Sequence, residues 1–270
     1  MSIPVLSADA VRAAERAFPD LLANGTLMER AATAVATECM AVLREHGGVV
    51  GRHVLLLVGA GDNGGDALFA GARLAKRGVS VAAVAVAERM HDRGVLALRE
   101  AGGRIVDVNG ALALFDRVDV VIDGIVGLGS SRGLEGDAAL LAKAIDDAQL
   151  FTVAIDVPSG VSTDTGAVSG VAVRADVTIT FGASSRHCAC SVALWRRAHR
   201  RHRRADGFRR RSSYRRRYMV YTASERCGQV LARSCRRCNG LSDVPRCGNV
   251  VDCSRDAQWL RHGASLRPCE

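Results

Sequence analysis

The chain has 270 residues, enough for one large α/β domain or two small ones, and no stretch approaches the ~20 apolar residues a membrane helix needs. The formal net charge of +9 hides a division: residues 1–182 carry 16 Lys and Arg against 22 Asp and Glu, whereas residues 183–270 carry 21 Arg, no Lys and six acids. Cysteine divides the same way, with Cys39 alone in the first part and eight in the second, so two compositions share one chain.

The opening, MSIPVLSADAVRAAERAF, lacks an apolar run long enough for a signal peptide, and Asp9 and Glu15 argue against an organelle transit peptide. A cytoplasmic protein is expected. Ser7 is placed to cap a short helix that stops near Pro19. Thr26 and Glu29 have capping-box spacing before a helical run in which Leu27, Ala31, Val35, Cys39 and Val42 or Leu43 share one face. That run ends at Gly47 and Gly48.

The period then changes. Buried-strand runs fall at 53–59, 79–87, 104–108, 118–127, 150–160 and 175–182, and helices are expected over 67–77, near 92–101 and over 134–147. Short apolar runs alternating with helices predict a three-layer αβα, Rossmann-like, mostly parallel sheet over residues 1–182.

Residues 58–65 read VGAGDNGG, and Gly59, Gly61 and Gly64 fit G-x-G-x-x-G. Glycines between a strand and a helix let backbone N–H groups approach a phosphate where no Cβ intervenes. The pattern alone is weak, and an ordinary dehydrogenase would add an acid about 20 residues onward for the ribose, where only the late Glu88 offers itself. Asp62, Asn63 and Asp66 instead place three oxygen-bearing side chains in the loop, hard ligands suited to an alkali or alkaline-earth cation. A strand-to-helix turn capped by Asp explains this loop, taken singly, equally well.

Two further loops change the balance. Asp123 ends one strand and leads into the glycine-punctuated segment 127–133, and Asp156 ends the next, followed by Pro158, Ser159 and Gly160. Ligands of open parallel sheets bind outside the carboxyl ends of the strands, so all three loops are expected at one cleft. Each alone reads as a capped turn; together they read as a ligand site. No His lies in any of the three, which leaves a hydride-transfer enzyme without its usual acid or base.

The segments LMERA, GAGDNGGDALFAGARLAKRG, VIDGIVGLGSSRGLEG, AIDVPSGVSTDTG and ADVTITFG, in this order and spacing, closely resemble the NAD(P)H-hydrate epimerase family, the YjeF N-terminal domain, over about residues 5–182. The resemblance implies an isomerase for nicotinamide cofactor repair, which interconverts the R and S epimers of NADHX and NADPHX so that a dehydratase specific for the S epimer can restore NAD(P)H. It further implies a potassium ion and a homodimer. The family's companion dehydratase domain is not matched in this chain.

Carried over by position, the family's first substrate loop falls on Asp62, Asn63, Gly64, Gly65 and Asp66, and its second on Gly127, Leu128, Gly129, Ser130, Ser131, Arg132 and Gly133. Asp156 matches a further substrate-binding acid, and Asn63, Asp123 and Ser159 match the potassium ligands. Inverting a carbon that bears a hydroxyl beside a ring nitrogen requires a proton donor and acceptor near it. Asp156 is the first candidate for that role and Asp66 the second, either of which serves equally as a binding residue. Two positions depart from the family pattern, Asp62 where Asn is usual and Ala67 where Gly is usual; the first adds negative charge near a pyrophosphate and the second a methyl at the helix start. A non-catalytic dinucleotide- or protein-binding module with the same cleft is the alternative reading.

Beyond Gly182 the family pattern and the strand-helix alternation stop. Clustered arginines near Tyr214, Tyr218 and Tyr221 would suit a nucleic-acid-binding arm, and Cys235-x-x-Cys238 with Cys247, Cys253 and His262 would suit zinc. All-Arg basicity with abundant Cys is also what a shifted reading frame in a GC-rich gene produces, and this reading is preferred, nucleic acid being the lesser expectation. It predicts that 183–270 is not a functional domain and leaves the last family strand unpaired at a sheet edge.

Overall fold

The computed structural model describes residues 5–6, 8–17, 19–128, 132–181, 184–185, 217–223 and 230–234. The strands form where the apolar runs predicted them: β2 (His53–Val58), β3 (Ser80–Ala85), β4 (Arg104–Val106), β5 (Val120–Gly124), β6 (Phe151–Ile155) and β7 (Val177–Phe181). They pair in parallel in the order β7-β6-β5-β2-β3-β4. The chain runs outward through β3 and β4 and then returns to the other side of β2 with β5. The order therefore reverses between β2 and β5, and a crevice opens beyond their carboxyl ends.

Helices cover both faces, which is why the strands are apolar throughout rather than alternating. Leu56, Ile122, Val153 and Ile179 point toward α3 (Thr26–Glu45) and α4 (Asp62–Ala75). Leu55, Leu57 and Val121 point the other way, toward Leu141 and Ile145 of α7 (Gly136–Asp147). Cys39 is fully enclosed in the first layer, where burial pushes its thiol up and keeps it protonated and inert.

The amino-terminal edge of the sheet is closed by a repeated device. An aspartate one residue before a strand accepts from an N–H in the first two residues of the neighbouring strand: Asp119 Oδ2 from His53 N at 2.8 Å, and Asp176 Oδ2 from Thr152 N at 2.9 Å. Both acids are buried, and Asp119 is neutralised further by Arg52 at 3.3 Å.

Several local expectations are corrected. The Thr26–Glu29 capping box does not form: Gly25 is the cap in a left-handed conformation, Asn24 Oδ1 accepts from Thr26 N, and Glu29 instead pairs across to Arg73 of α4. An interhelical ion pair has outcompeted the local cap. Helix α4 begins at Asp62, five residues before the expected start, so the DNGGD segment is its first turn rather than a loop ahead of it. The stretch around Pro19 resumes as α2 (Pro19–Ala23) after α1 (Ala8–Arg16), and the end of the 104–108 run turns into a short helix, α6 (Val108–Ala113), capped by Asp107. The helix expected near residue 92 is α5 (Asp92–Glu100).

The sheet does not end at β7. Strand β9 (Arg217–Ala223) lies parallel to it, with Ile179 opposite Met219, and β10 (Val230–Ser234) pairs antiparallel to β9. The expected unpaired edge at β7 is thus occupied. Strand β1 (Val5–Leu6) pairs with β8 (Ser184–Ser185) in a separate ribbon. The arginine- and cysteine-rich remainder, including the proposed zinc cysteines, lies outside the described residues.

Candidate functional site

The three loops meet at the crevice between β2 and β5. Asn63, on the first turn of α4, is buried and donates through Nδ2 to the carbonyl of Ile155 at the end of β6, at 3.0 Å. Its Oδ1 faces Gly127, where a Cβ would come within 2.5 Å of it. One side chain therefore bridges the loops after β2, β5 and β6, and glycine at 127 is what lets it approach.

Asp123 at the end of β5 is buried and takes three hydrogen bonds: from Ser159 Oγ at 2.7 Å, Ser159 N at 2.8 Å and Ile125 N at 3.2 Å. Ser159 Oγ in turn accepts from Val126 N at 3.0 Å. Burial pushes the Asp123 carboxyl up to about 6, while these donors pull it down without prevailing. A nearby cation would favour the anion. The oxygens of Asn63, Asp123 and Ser159 carry one formal charge among them and include no soft donor, the chemistry of a monovalent hard-cation site. Among the described residues no cluster of three His, Cys, Asp or Glu forms an alternative metal centre.

Asp156 follows directly on Ile155. Its φ of +61° is left-handed, which is costly for a residue with a Cβ, and Val157 N closes back onto Ile155 O at 2.7 Å to make a γ-turn around it. The turn presents a half-buried carboxylate at the strand end beside the carbonyl that anchors Asn63. Asp66 is buried one turn into α4. Asp62 is exposed at the first position of the helix, where its charge complements the helix dipole. Ala67 is seated without exposure because its neighbour is Gly124, where a second Cβ would fall 2.6 Å away. The methyl absent from one residue makes room for the one added at the other.

Gly64 and Gly65 are buried in α4, Gly127 and Leu128 are half-buried at the crevice, and Arg132 and Gly133 lead back toward an isolated bridge between Leu134 and Val171. Gly129, Ser130 and Ser131 lie outside the described residues. Two nearby groups escaped sequence reasoning. His91 caps α5, accepting from Gly94 N at 3.1 Å, and its ring edge lies against Gly65; its place just before the Asp92 helix was the available signal. Arg12 reaches from α1 to Leu128 O, 116 residues away, a contact no local pattern announces.

Residues 24–186 match the family model described as YjeF-related protein N-terminus. The chain is 45% identical over 186 residues to an NAD(P)H-hydrate epimerase of Microbacterium testaceum, covering 67% of this chain and 70% of that one. It is 44% identical over 178 residues to a bifunctional NAD(P)H-hydrate repair enzyme, Nnr, of Mycobacterium tuberculosis, covering 65% of this chain but spanning only 37% of that relative's length. In fold it is similar to the crystal structure of yeast ynu0, YNL200c, with a TM-score of 0.63 at 18% identity, covering 85% of this chain and all of that one. No helix among the described residues is long and apolar enough to cross a membrane.

Proposed function

The chain belongs to the YjeF-related N-terminal family, and on that premise we propose that it is an NAD(P)H-hydrate epimerase, interconverting the R and S forms of NADHX and NADPHX. The reading is supported by the hydrogen bonds that tie Asn63 to the end of β6 and Ser159 to Asp123 at the end of β5, in a chain 45% identical to an NAD(P)H-hydrate epimerase. The start of α4 would offer backbone N–H groups to the pyrophosphate.

Asn63, Asp123 and Ser159 would hold potassium. When bound, the ion supplies a fixed positive charge beside the dinucleotide. The buried carboxylate of Asp123 and the buried amide of Asn63, whose oxygen faces Gly127, support this assignment.

Asp156 is the proposed acid and base. As the acid, it protonates the ring hydroxyl, and the ring nitrogen's lone pair expels water to leave an iminium. Water then adds to the other face and returns a proton to the carboxylate, so that atoms and charge balance and only the configuration changes. Asp66, buried nearby on α4, is the second candidate for a proton partner or substrate contact. A cytoplasmic setting alongside an S-specific dehydratase completes the repair sequence.

The test is to mix pure R-NADHX with the full chain at a thousandth of its concentration and separate the epimers over time. Approach to the same R/S mixture as from pure S-NADHX supports the enzyme; stoichiometric binding without interconversion leaves a binding module instead.

A further inference from the structure

We propose that Arg12 is a positioning residue for the site, holding the β5 loop in the place where Asn63 can pack against it; the functional consequence rests on the epimerase reading above. Helix α1 is bound to two different loops of the crevice. At its start, Ala8 N donates to Asp164 Oδ1 at 3.2 Å, in the segment after β6. One turn later, Arg12 Nη2 donates to the carbonyl of Leu128 at 2.5 Å, in the segment after β5. Ala8 and Val11 are buried between these anchors, so the helix is seated rather than merely touching.

The Leu128 carbonyl belongs to the residue after Gly127, the glycine that Oδ1 of Asn63 faces. Asn63 is itself tied to Ile155 O. A continuous path therefore runs from α1 through Leu128 and Gly127 to Asn63 and the turn that carries Asp156. Glycine at 127 gives the loop backbone freedom that a side chain would have restricted. A guanidinium donating to a backbone carbonyl makes a strong, charge-assisted bond that removes that freedom. Asp9 Oδ1 lies 3.6 Å from Nη1 of Arg12 on the same helix, which leaves Nη2 to Leu128 O.

The experiment uses the full chain as wild type, Arg12→Ala, Arg12→Lys and Asp164→Asn, with amide hydrogen exchange at residues 125–128 and epimerisation kinetics for R-NADHX. In Arg12→Ala, exchange at 125–128 rises about tenfold while α7 and β3 are unchanged, and KM rises about tenfold with kcat held within about threefold, the equivalent of one lost hydrogen bond. Arg12→Lys, which keeps a charged donor, recovers most of both. Asp164→Asn leaves 125–128 protected, since it touches only the other anchor. Should Arg12→Ala fail to fold, Arg12→Met, which keeps the aliphatic stem and removes the donor to Leu128 O, carries the same contrast. Exchange at 125–128 unaffected by removal of the donor overturns the proposal, as does a rise shared equally by α7 and β3. The exchange arm needs no turnover: an inactive wild type would defeat the epimerase reading while the role of Arg12 is still decided.

Discussion

Ser159 binds Asp123 with both of its donors, the hydroxyl at 2.7 Å to Oδ1 and the backbone N–H at 2.8 Å to Oδ2. The end of β6 is thereby pinned to the end of β5 by a carboxylate whose burial works against its charge. Asp123→Asn places an amide nitrogen where at least one of three donors points, and is expected to cost about 1–3 kcal/mol in urea unfolding. The same variant should lose any acceleration by potassium over tetramethylammonium. A full potassium response in Asp123→Asn would remove this residue from the cation site.

Gly127→Ala should damage the site more than the fold. The three atoms nearest the new methyl are the amide end of Asn63, at 2.5–2.9 Å, which can swing away by giving up Ile155 O. A stability loss of about 1–3 kcal/mol is expected, accompanied by a fall in kcat/KM that persists at temperatures where the variant is fully folded. Unimpaired kcat/KM would mean that Asn63 does not act from this position.

Asp156→Asn separates chemistry from conformation. Asparagine tolerates the left-handed backbone that Asp156 adopts at φ +61°, so the thermal midpoint should hold. If the carboxylate moves the proton, kcat falls about 10²–10⁴-fold. An Asp156→Asn enzyme that epimerises at the wild-type rate eliminates it from that role.

These particulars show where the sequence was legible. The buried runs at 53–59, 118–127 and 150–160 became β2, β5 and β6 because continuous apolar segments between glycines leave few alternatives in a covered parallel sheet. Strand ends then placed Asp123 and the segment carrying Ser159 side by side after β5 and β6, where the two residues hydrogen-bond. What escaped depended on distant partners. Glu29 abandoned Thr26 for Arg73, Asp156 took a left-handed turn while its N–H bonds to Ile179 O of β7, and Arg12 found Leu128 across 116 residues. The start of α4 was misjudged because glycines in DNGGD read as a loop, whereas close packing against β5 outweighs their low helix propensity.

At the opposite edge of the sheet, His53 supplies a pH dependence unrelated to catalysis. Burial first, then Arg117 and Arg104, lowers its pKa from the ordinary 6.5, with Asp119 opposing in part. Arg117 Nη2 donates to Nε2 at 3.2 Å, a contact that requires the neutral ring. Below pH 6.5 the unfolded chain binds the proton that folded His53 resists, so stability falls as pH drops through that value. Thermal melts of His53→Gln across the same range should show a flatter slope than wild type; identical slopes would assign the effect elsewhere.

The most direct measurement couples the chain to an S-specific dehydratase acting on an R/S mixture of NADHX and follows the return of NADH absorbance. Dehydratase alone consumes the S fraction and then slows to the spontaneous rate of epimerisation. Catalytic amounts of this chain, in potassium buffer, should carry recovery to completion without that break. A break unchanged by its addition would contradict the assignment of the β2/β5 crevice as an epimerase site.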